Sequence, residues 1–413
     1  MSSYSLLQGV RILEVAQLAP SSVGGHLADL GAEVIKVESG SMGDPVRVGG
    51  ARAVGSPNGA SFMHLRWNRG KRSVSLDLKT ESGRRAFLDI ARSCDAVIEG
   101  MRGGYLDWLS VGYDALVREN PQIVLCSVSG MGSEGPYRGL GTGGPVFDAF
   151  GGIREVEVPE NPPTTGIAGS TTPPIAMYAI GAYGAMGLLA ALQKAKATQR
   201  PVRIEISGID IAAAWMPDGT DAELNRERSQ PRPTWLPDGR LPDWPRLEAY
   251  TTADGESMLL GAHVHKFWAN FCQATGREDL LDIDLQSVDS GAAERADTVW
   301  HALKQLFASR TRAEWMQLFL DNDIAGGPVN NTTDLVADPH FLSRTSTYDV
   351  EHPVAGELRF VVSPVRVDGE AFAPALPPEV GADTSSVLRS ICGYNDERVD
   401  AVLDMTTASG VSS

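Results

Sequence analysis

A chain of 413 residues is long enough for two domains and a large core. Its hydrophobic content of 42% and charged content of 21% are those of an ordinary globular protein. The formal net charge of −16 argues against nucleic acid or an anionic membrane as partner, because the long-range field repels phosphate, yet it permits a local basic pocket.

Taken in chain order, Gly9 to Val15 (GVRILEV) predicts a short buried strand, followed by Gln17, Leu18, Ala19 and Pro20. A helix through His26 to Leu30 leads to Gly31 to Glu38 (GAEVIKVE), whose Val and Ile predict a second parallel strand and so a βαβ unit. The first loop has no GxGxxG, so the dinucleotide fingerprint is missing. Ser39 to Arg47 reads as a loop, and Trp67 to Lys79 carries a basic turn into an alternating strand. Glu81 to Ser93 has helical spacing, with Ala86, Phe87, Ile90 and Ala91 on one face. Asp95 to Gly100 is a further strand, Asp114 to Glu119 a helix, and Pro121 to Tyr137 a strand that runs into a glycine-rich loop. The repetition predicts an α/β fold with a doubly wound sheet, whose ligand crevice lies beyond the carboxyl ends of the strands.

Thr171 to Leu192 (TTPPIAMYAIGAYGAMGLLAAL) follows. Pro173 and Pro174, with Thr171 and Thr172 before them, are a helix start signal, and Ile175 to Leu192 carries no charge. This run is at the short end of the roughly 17 to 25 residues that span a bilayer, and its Ala and Gly content favours a buried core helix. The first turn, chiefly Ala176 and Met177, sits at the helix's positive pole, a place suited to an anion or a carboxylate nucleophile.

Pro201 to Trp215 predicts an alternating strand and an apolar helix. The Pro-, Asp- and Arg-rich stretch 217–244 reads as a linker. Beyond it come a strand at Ser257 to Ala262 and helices at Lys266 to Thr275, Asp297 to Phe307 and Ala313 to Leu320. From Ala325 on, loop, helix and terminal strands follow, with fraying after about Asp404. The expected organisation is a large domain over 1–216, a linker over 217–244, a small domain over 245–325, and a return segment over 326–413 that completes the large domain. Cys94, Cys126, Cys272 and Cys392 are widely spaced without a CxxC, which favours free thiols in a reducing cytoplasm. The N-terminus lacks a signal-peptide pattern.

Candidate chemistry is sparse. Arg66, Arg69, Lys71 and Arg72 could neutralise phosphates or form a solvated turn. The loop from Gly130 to Gly135 could present N–H groups to an anion. His263 and His265 have no acid or thiol at metal spacing, so surface histidines are expected there and no metal. Asp148, in VFDAFGG, could serve as a base or as a helix-terminal acid. The residues alone lead to a two-domain α/β protein that binds something anionic.

A set of motifs goes further. GVRILEV with Ala19 and Pro20, LADLGAEVIKVE, GDPVR, NRGKRSVSLDLK, DAVIE, NPQIVLCSVSGMGSEGPY, GLLAAL, AEWMQLFLDNDIAGGPVNN, DPHF and HPVAG resemble, in this order, the class III CoA-transferase family. The family includes formyl-CoA transferase, carnitine CoA-transferase and α-methylacyl-CoA racemase. The resemblance covers Leu6 to about Val367 and implies a Rossmann-like large domain, a smaller α/β domain between long linkers, and an interlocked dimer. It implies acyl-CoA as ligand, with Gln17, Ala19, Lys71, Arg72, Arg102 and Gly130 as its contacts, and no metal.

In the family's transferases an aspartate attacks the thioester, giving a mixed anhydride and then an enzyme-bound CoA thioester. The matching position here is Met177, and a thioether cannot form an acyl anhydride. The racemases add a histidine in the region where this chain has Gly143 and Gly144. After DAVIE the family's Asn, Phe, Arg, Pro, Gly is replaced by Gly100, Met101, Arg102, Gly103 and Gly104, and an expected arginine is Ser39. The resemblance therefore implies a non-catalytic subunit paired with a homologous chain that bears the aspartate. Succinyl-CoA:benzylsuccinate CoA-transferase, with two similar subunits, is the precedent. The alternatives are an active enzyme in which Asp148 or Glu99 replaces the missing acid, and an acyl-CoA-binding scaffold.

Overall fold

The computed structural model describes residues 3–40, 42–53, 61–153, 174–228, 241–344 and 346–409. They divide into two compact units, Met1–Glu223 with Ser346–Ser413, and Leu224–Thr345.

The first unit is built on six parallel strands: β1 (Arg11–Ala16), β2 (Glu33–Glu38), β3 (Arg72–Ser75), β4 (Ala96–Gly100), β5 (Val124–Ser129) and β6 (Val202–Ser207). Their order is β3-β2-β1-β4-β5-β6, with the reversal between β1 and β4. Side-chain alternation along each strand feeds two separate cores. Leu13, Val97 and Leu125 point to one face, where α3 (Glu81–Ala91), α5 (Tyr113–Glu119), α15 (Thr384–Cys392) and α16 (Asp396–Ser409) lie. Ile12, Ile98 and Cys126 point to the other, against α1 (Ser21–Asp29), α6 (Gly144–Phe150), α7 (Ile175–Thr198) and α8 (Gly208–Ala214). Short helices α2 (Phe62–Trp67) and α4 (Tyr105–Trp108) sit on loops that follow β2 and β4.

Two expectations change. The helix at Ile175 is not buried all round, since Ile175, Tyr178 and Met186 are exposed. Its other stripe, through Ala176, Ala179, Ile180, Leu188 and Ala191, is buried, and Gly181 lets it approach α1 closely: a Cβ there would stand 2.5 Å from Ser22 Oγ. By length and composition α7 could cross a membrane, but it packs on α1, β5 and β6 as a core helix does. The capping residues Thr171 and Thr172 lie outside the described residues. The second change is at the C-terminus, where α16 continues to Ser409 because Val399 and Val402 bury against the α3 core.

The return segment closes the open edge of β3. Ser73 N donates to Asp383 Oδ2 at 2.9 Å and Ser75 N to Thr384 Oγ1 at 2.9 Å, so side chains from the end of the chain satisfy an edge that would otherwise be bare. The hairpin of β10 (Thr347–His352) and β11 (Gly356–Val361) packs Tyr348 and Phe360 against Tyr4 and Phe372. The second unit holds the antiparallel sheet β7 (Ala249–Thr251), β8 (Ser257–Leu260), β9 (Gly326–Pro328) and helices α9 (Ala222–Leu224, at the boundary), α10 (His265–Thr275), α11 (Ala292–Phe307), α12 (Arg312–Asp321), α13 (Thr332–Ala337) and α14 (Pro339–Arg344). Its core is a stack of Phe271, Phe307 and Trp315, with the Trp315 indole donating to Phe307 O at 2.9 Å.

Buried histidines give the fold an acid sensitivity. Burial pushes the His64 imidazole down to about 3, and its Nδ1 accepts from Asn68 Nδ2 at 3.0 Å, as a neutral ring can. His26 is lowered by burial as well. Below the ordinary value of 6.5 the unfolded chain takes up protons that the fold refuses, so stability present above 6.5 is lost progressively toward 3. The expected slope is up to about 1.4 kcal/mol per pH unit for each ring. Urea unfolding of wild type and His64→Gln at pH 7 and pH 5 checks this; equal losses in the two proteins would refute the assignment to His64.

Candidate functional site

Two neighbouring cavities open beyond the carboxyl ends of the strands. The first, about 370 Å³, lies past β1, β2 and β3 and is lined by Glu38, Ser39, Asp77, Lys79 and Tyr105. The second, about 580 Å³, lies past β1, β4 and β5 and is mostly apolar, with Leu18, Met63, Trp67, Met131 and Phe147 in its wall. Gln17 and Met101 line both and form the ridge between them. This is the switch point of the sheet, where doubly wound folds hold their ligands.

Of the residues singled out from sequence, Gln17, Ala19, Arg102, Gly130 and Met177 converge on the second cavity. Among the described residues, Arg102 and Arg138 are the charged side chains in its lining. Met177 stands in the first turn of α7, and Gly144 at the start of α6 leaves the space its side chain takes. A Cβ on Gly144 would come within 2.3 Å of Met177 Sδ.

Asp148 lines neither cavity. It is 1% exposed, and its two oxygens accept from Ile175 N at 2.7 Å and Ala176 N at 2.8 Å. The positive pole of α7 is thus already occupied by a carboxylate of this chain, and the helix-terminal alternative is the one realised. Glu99, the other displaced-acid candidate, is buried on β4; burial raises its carboxyl, while Leu106 N and Ser127 Oγ donate to it at 2.9 and 3.1 Å.

Lys71 and Arg72, expected as ligand contacts, line neither cavity. Lys71 Nζ is buried, donating to both Glu14 oxygens at 2.8 Å, to Ser21 O at 2.7 Å and to Asn68 Oδ1 at 2.9 Å. Burial pushes this ammonium down to about 8 against the pull of Glu14. Arg72 opens β3 at the amino end of the sheet, away from the crevice, and pairs with Glu33 at 2.9 Å. The rest of the basic cluster is structural too, since Arg69 makes two bonds to Asp29 at 2.7 and 2.6 Å and Arg66 donates to Val361 O at 3.1 Å.

Lys71 belongs to a buried network beneath the crevice. Lys36 Nζ meets Glu14 and Asp44 at 3.0 Å each and donates to Ala16 O at 2.5 Å. Though burial opposes it, Glu14 and Asp44 hold the Lys36 ammonium above its ordinary range. Glu38 accepts from Arg47 at 2.9 and 2.7 Å and from Ser73 Oγ at 2.6 Å; against the effect of burial, Arg47 holds the carboxyl down at about 2. Asp44 also takes the Leu18 amide at 2.9 Å, and Leu18 is left-handed with φ 56°.

Sequence reasoning missed α2, which brings Met63 and Trp67 into the wall; its six residues are too few to show a helical period, and the Ser61 cap accepting from His64 N is its one local signal. His263 and His265 are exposed in the second unit. Among the described residues no group of three or more His, Cys, Asp or Glu side chains is placed to hold a metal ion.

A Rossmann-like sheet with a two-chambered crevice at its switch point defines a doubly wound α/β protein with its ligand crevice at the carboxyl ends of the strands. The sequence model of CoA-transferase family III matches residues 7–384, and the chain belongs to that family. CoA-transferases use CoA thioesters as substrates. The chain is 28% identical over 407 residues to the succinyl-CoA:glutarate CoA-transferase of Homo sapiens, covering 98% of this chain and 90% of that protein. It is 28% identical over 406 residues to the beta subunit of succinyl-CoA–L-malate CoA-transferase of Chloroflexus aurantiacus, covering 95% and 96%. Among solved structures, Rv3272 from Mycobacterium tuberculosis superposes with a TM-score of 0.75 at 26% identity, over 94% of this chain and 100% of that one.

Proposed function

We propose that this chain is the acyl-CoA-binding, nucleophile-lacking subunit of a heteromeric class III CoA-transferase, interlocked with a homologous subunit that carries the aspartate. The pair moves CoA from an acyl-CoA such as succinyl-CoA to a carboxylic acid. The observation that carries the reading is Met177: a thioether stands in the first turn of α7, facing the second cavity, where covalent transfer needs a carboxylate. The two cavities suit a long ligand laid across the Gln17 and Met101 ridge, its nucleotide at one end and its thioester at the other. The relative from Chloroflexus is itself one subunit of a larger enzyme, which supports the heteromeric arrangement.

The reading with a displaced acid is weaker. Both oxygens of Asp148 are committed to backbone N–H groups, and freeing them would strip the cap from α7.

The test is to purify the chain alone and together with a homologous aspartate-bearing chain, and to assay CoA transfer from succinyl-CoA to benzylsuccinate, glutarate and L-malate. Turnover is expected only from the two-chain complex. Turnover by the isolated chain sinks the proposal; CoA binding with no turnover in any pairing leaves the scaffold reading in its place.

A further inference from the structure

The turn that separates β1 from α1 carries Gln17, which lines both cavities, and Leu18, Ala19 and Pro20, which line the second, and it is strained. Leu18 has φ 56°, a left-handed conformation that a branched, Cβ-bearing residue adopts at a cost. Leu18 is also 46% exposed, so burial of its side chain is not what holds it there.

What holds it is Asp44, a residue 1% exposed on the loop after β2. One carboxylate oxygen accepts from Leu18 N at 2.9 Å and from Val46 N at 3.0 Å. The other accepts from Ser21 Oγ at 2.8 Å and stands 3.0 Å from Lys36 Nζ. Lys36 in turn ties down Ala16 O, and Ser21 N bonds to Leu18 O at 3.0 Å, so both ends of the turn are anchored to one buried carboxylate.

We propose that Asp44 is a positioning residue for the ligand: by taking the amide of left-handed Leu18 it sets the Gln17–Pro20 turn in the shape that places Gln17 between the two cavities and Leu18, Ala19 and Pro20 in the wall of the second. The inference rests on the reading that these cavities hold a CoA thioester, and its test is arranged so that either can fail alone.

Asp44→Ala removes both acceptor oxygens, that of the Leu18 amide included, whereas Asn would keep an oxygen for it. Leu18→Gly removes the strain, because glycine adopts φ near 56° without a Cβ clash. Calorimetric titration with coenzyme A is expected to show at least about tenfold weaker binding for Asp44→Ala than for wild type. The double variant Asp44→Ala, Leu18→Gly is expected to bind as Leu18→Gly alone does. A carboxylate needed only as the partner of Lys36 would not be rescued by a change at Leu18, so an unrescued double variant overturns the proposal.

Hydrogen exchange of the peptide spanning Gln17–Ser22, measured without ligand, is the second arm. Asp44→Ala, which leaves the Leu18 amide without its acceptor, should speed it. Wild type that fails to bind CoA overturns the functional reading; faster exchange in Asp44→Ala then still supports the positioning role, and unchanged exchange overturns it.

Discussion

Glu14→Ala is expected to destabilise the first unit by about 3–5 kcal/mol, the loss seen when one partner of a buried ion pair is removed. Glu14 is fully buried on β1 and faces two ammonium groups, Lys36 at 3.0 Å and Lys71 at 2.8 Å. Lys36 also meets Asp44, whose amide donates to Glu38, itself paired with Arg47, so three carboxylates and three cations lie together. Taking Glu14 away leaves Lys71 with no carboxylate among its bonded partners, only Ser21 O and Asn68 Oδ1. Adding Lys71→Met to Glu14→Ala should recover part of the loss, since the uncompensated charge goes with the lysine. Chemical denaturation followed by circular dichroism measures both. A single-variant cost under about 1 kcal/mol would place the pair in the class of exposed salt bridges and contradict its burial.

Met177→Asp is expected to leave the isolated chain without efficient transfer, below the two-chain complex by about 10²-fold or more, the scale of loss that a misplacement of about 1 Å produces. The new carboxylate would enter a helix turn whose first two N–H groups already serve Asp148, so it meets a like charge in place of an open positive pole. Gly144 leaves room beside it but supplies no donor side chain. Borohydride trapping during turnover of the proposed two-chain complex should label only the aspartate-bearing chain. A trapped CoA thioester on the introduced carboxylate of the isolated variant would falsify the expectation.

The sheet was legible because its strands are buried on both faces and so appear as runs of Val, Ile and Leu, from Ile12 to Val15 and from Val34 to Val37. The place of the crevice was legible for the same reason, since a doubly wound parallel sheet opens beyond the carboxyl ends of its strands. Electrostatic roles were not. Lys71 reads as a phosphate contact because its sequence neighbours are Arg69 and Arg72, whereas its charge is answered by Glu14, which the pairing of β2 with both β1 and β3 brings near. Asp148 shows the same limit from the other side. Its function as a cap depends on the N–H groups of Ile175 and Ala176, and nothing in VFDAFGG announces that partner.

The closure of β3 by Asp383 and Thr384 has a consequence for synthesis. Those two residues are made late, after the whole of Leu224–Thr345, so on the ribosome the β3 edge of the nascent sheet waits bare. At roughly 5–20 residues per second the wait is on the order of ten seconds, during which an unpaired strand can template aggregation. A chain truncated before Asp383 never ends that interval, and its failure would show as poor soluble yield, not as lost chemistry.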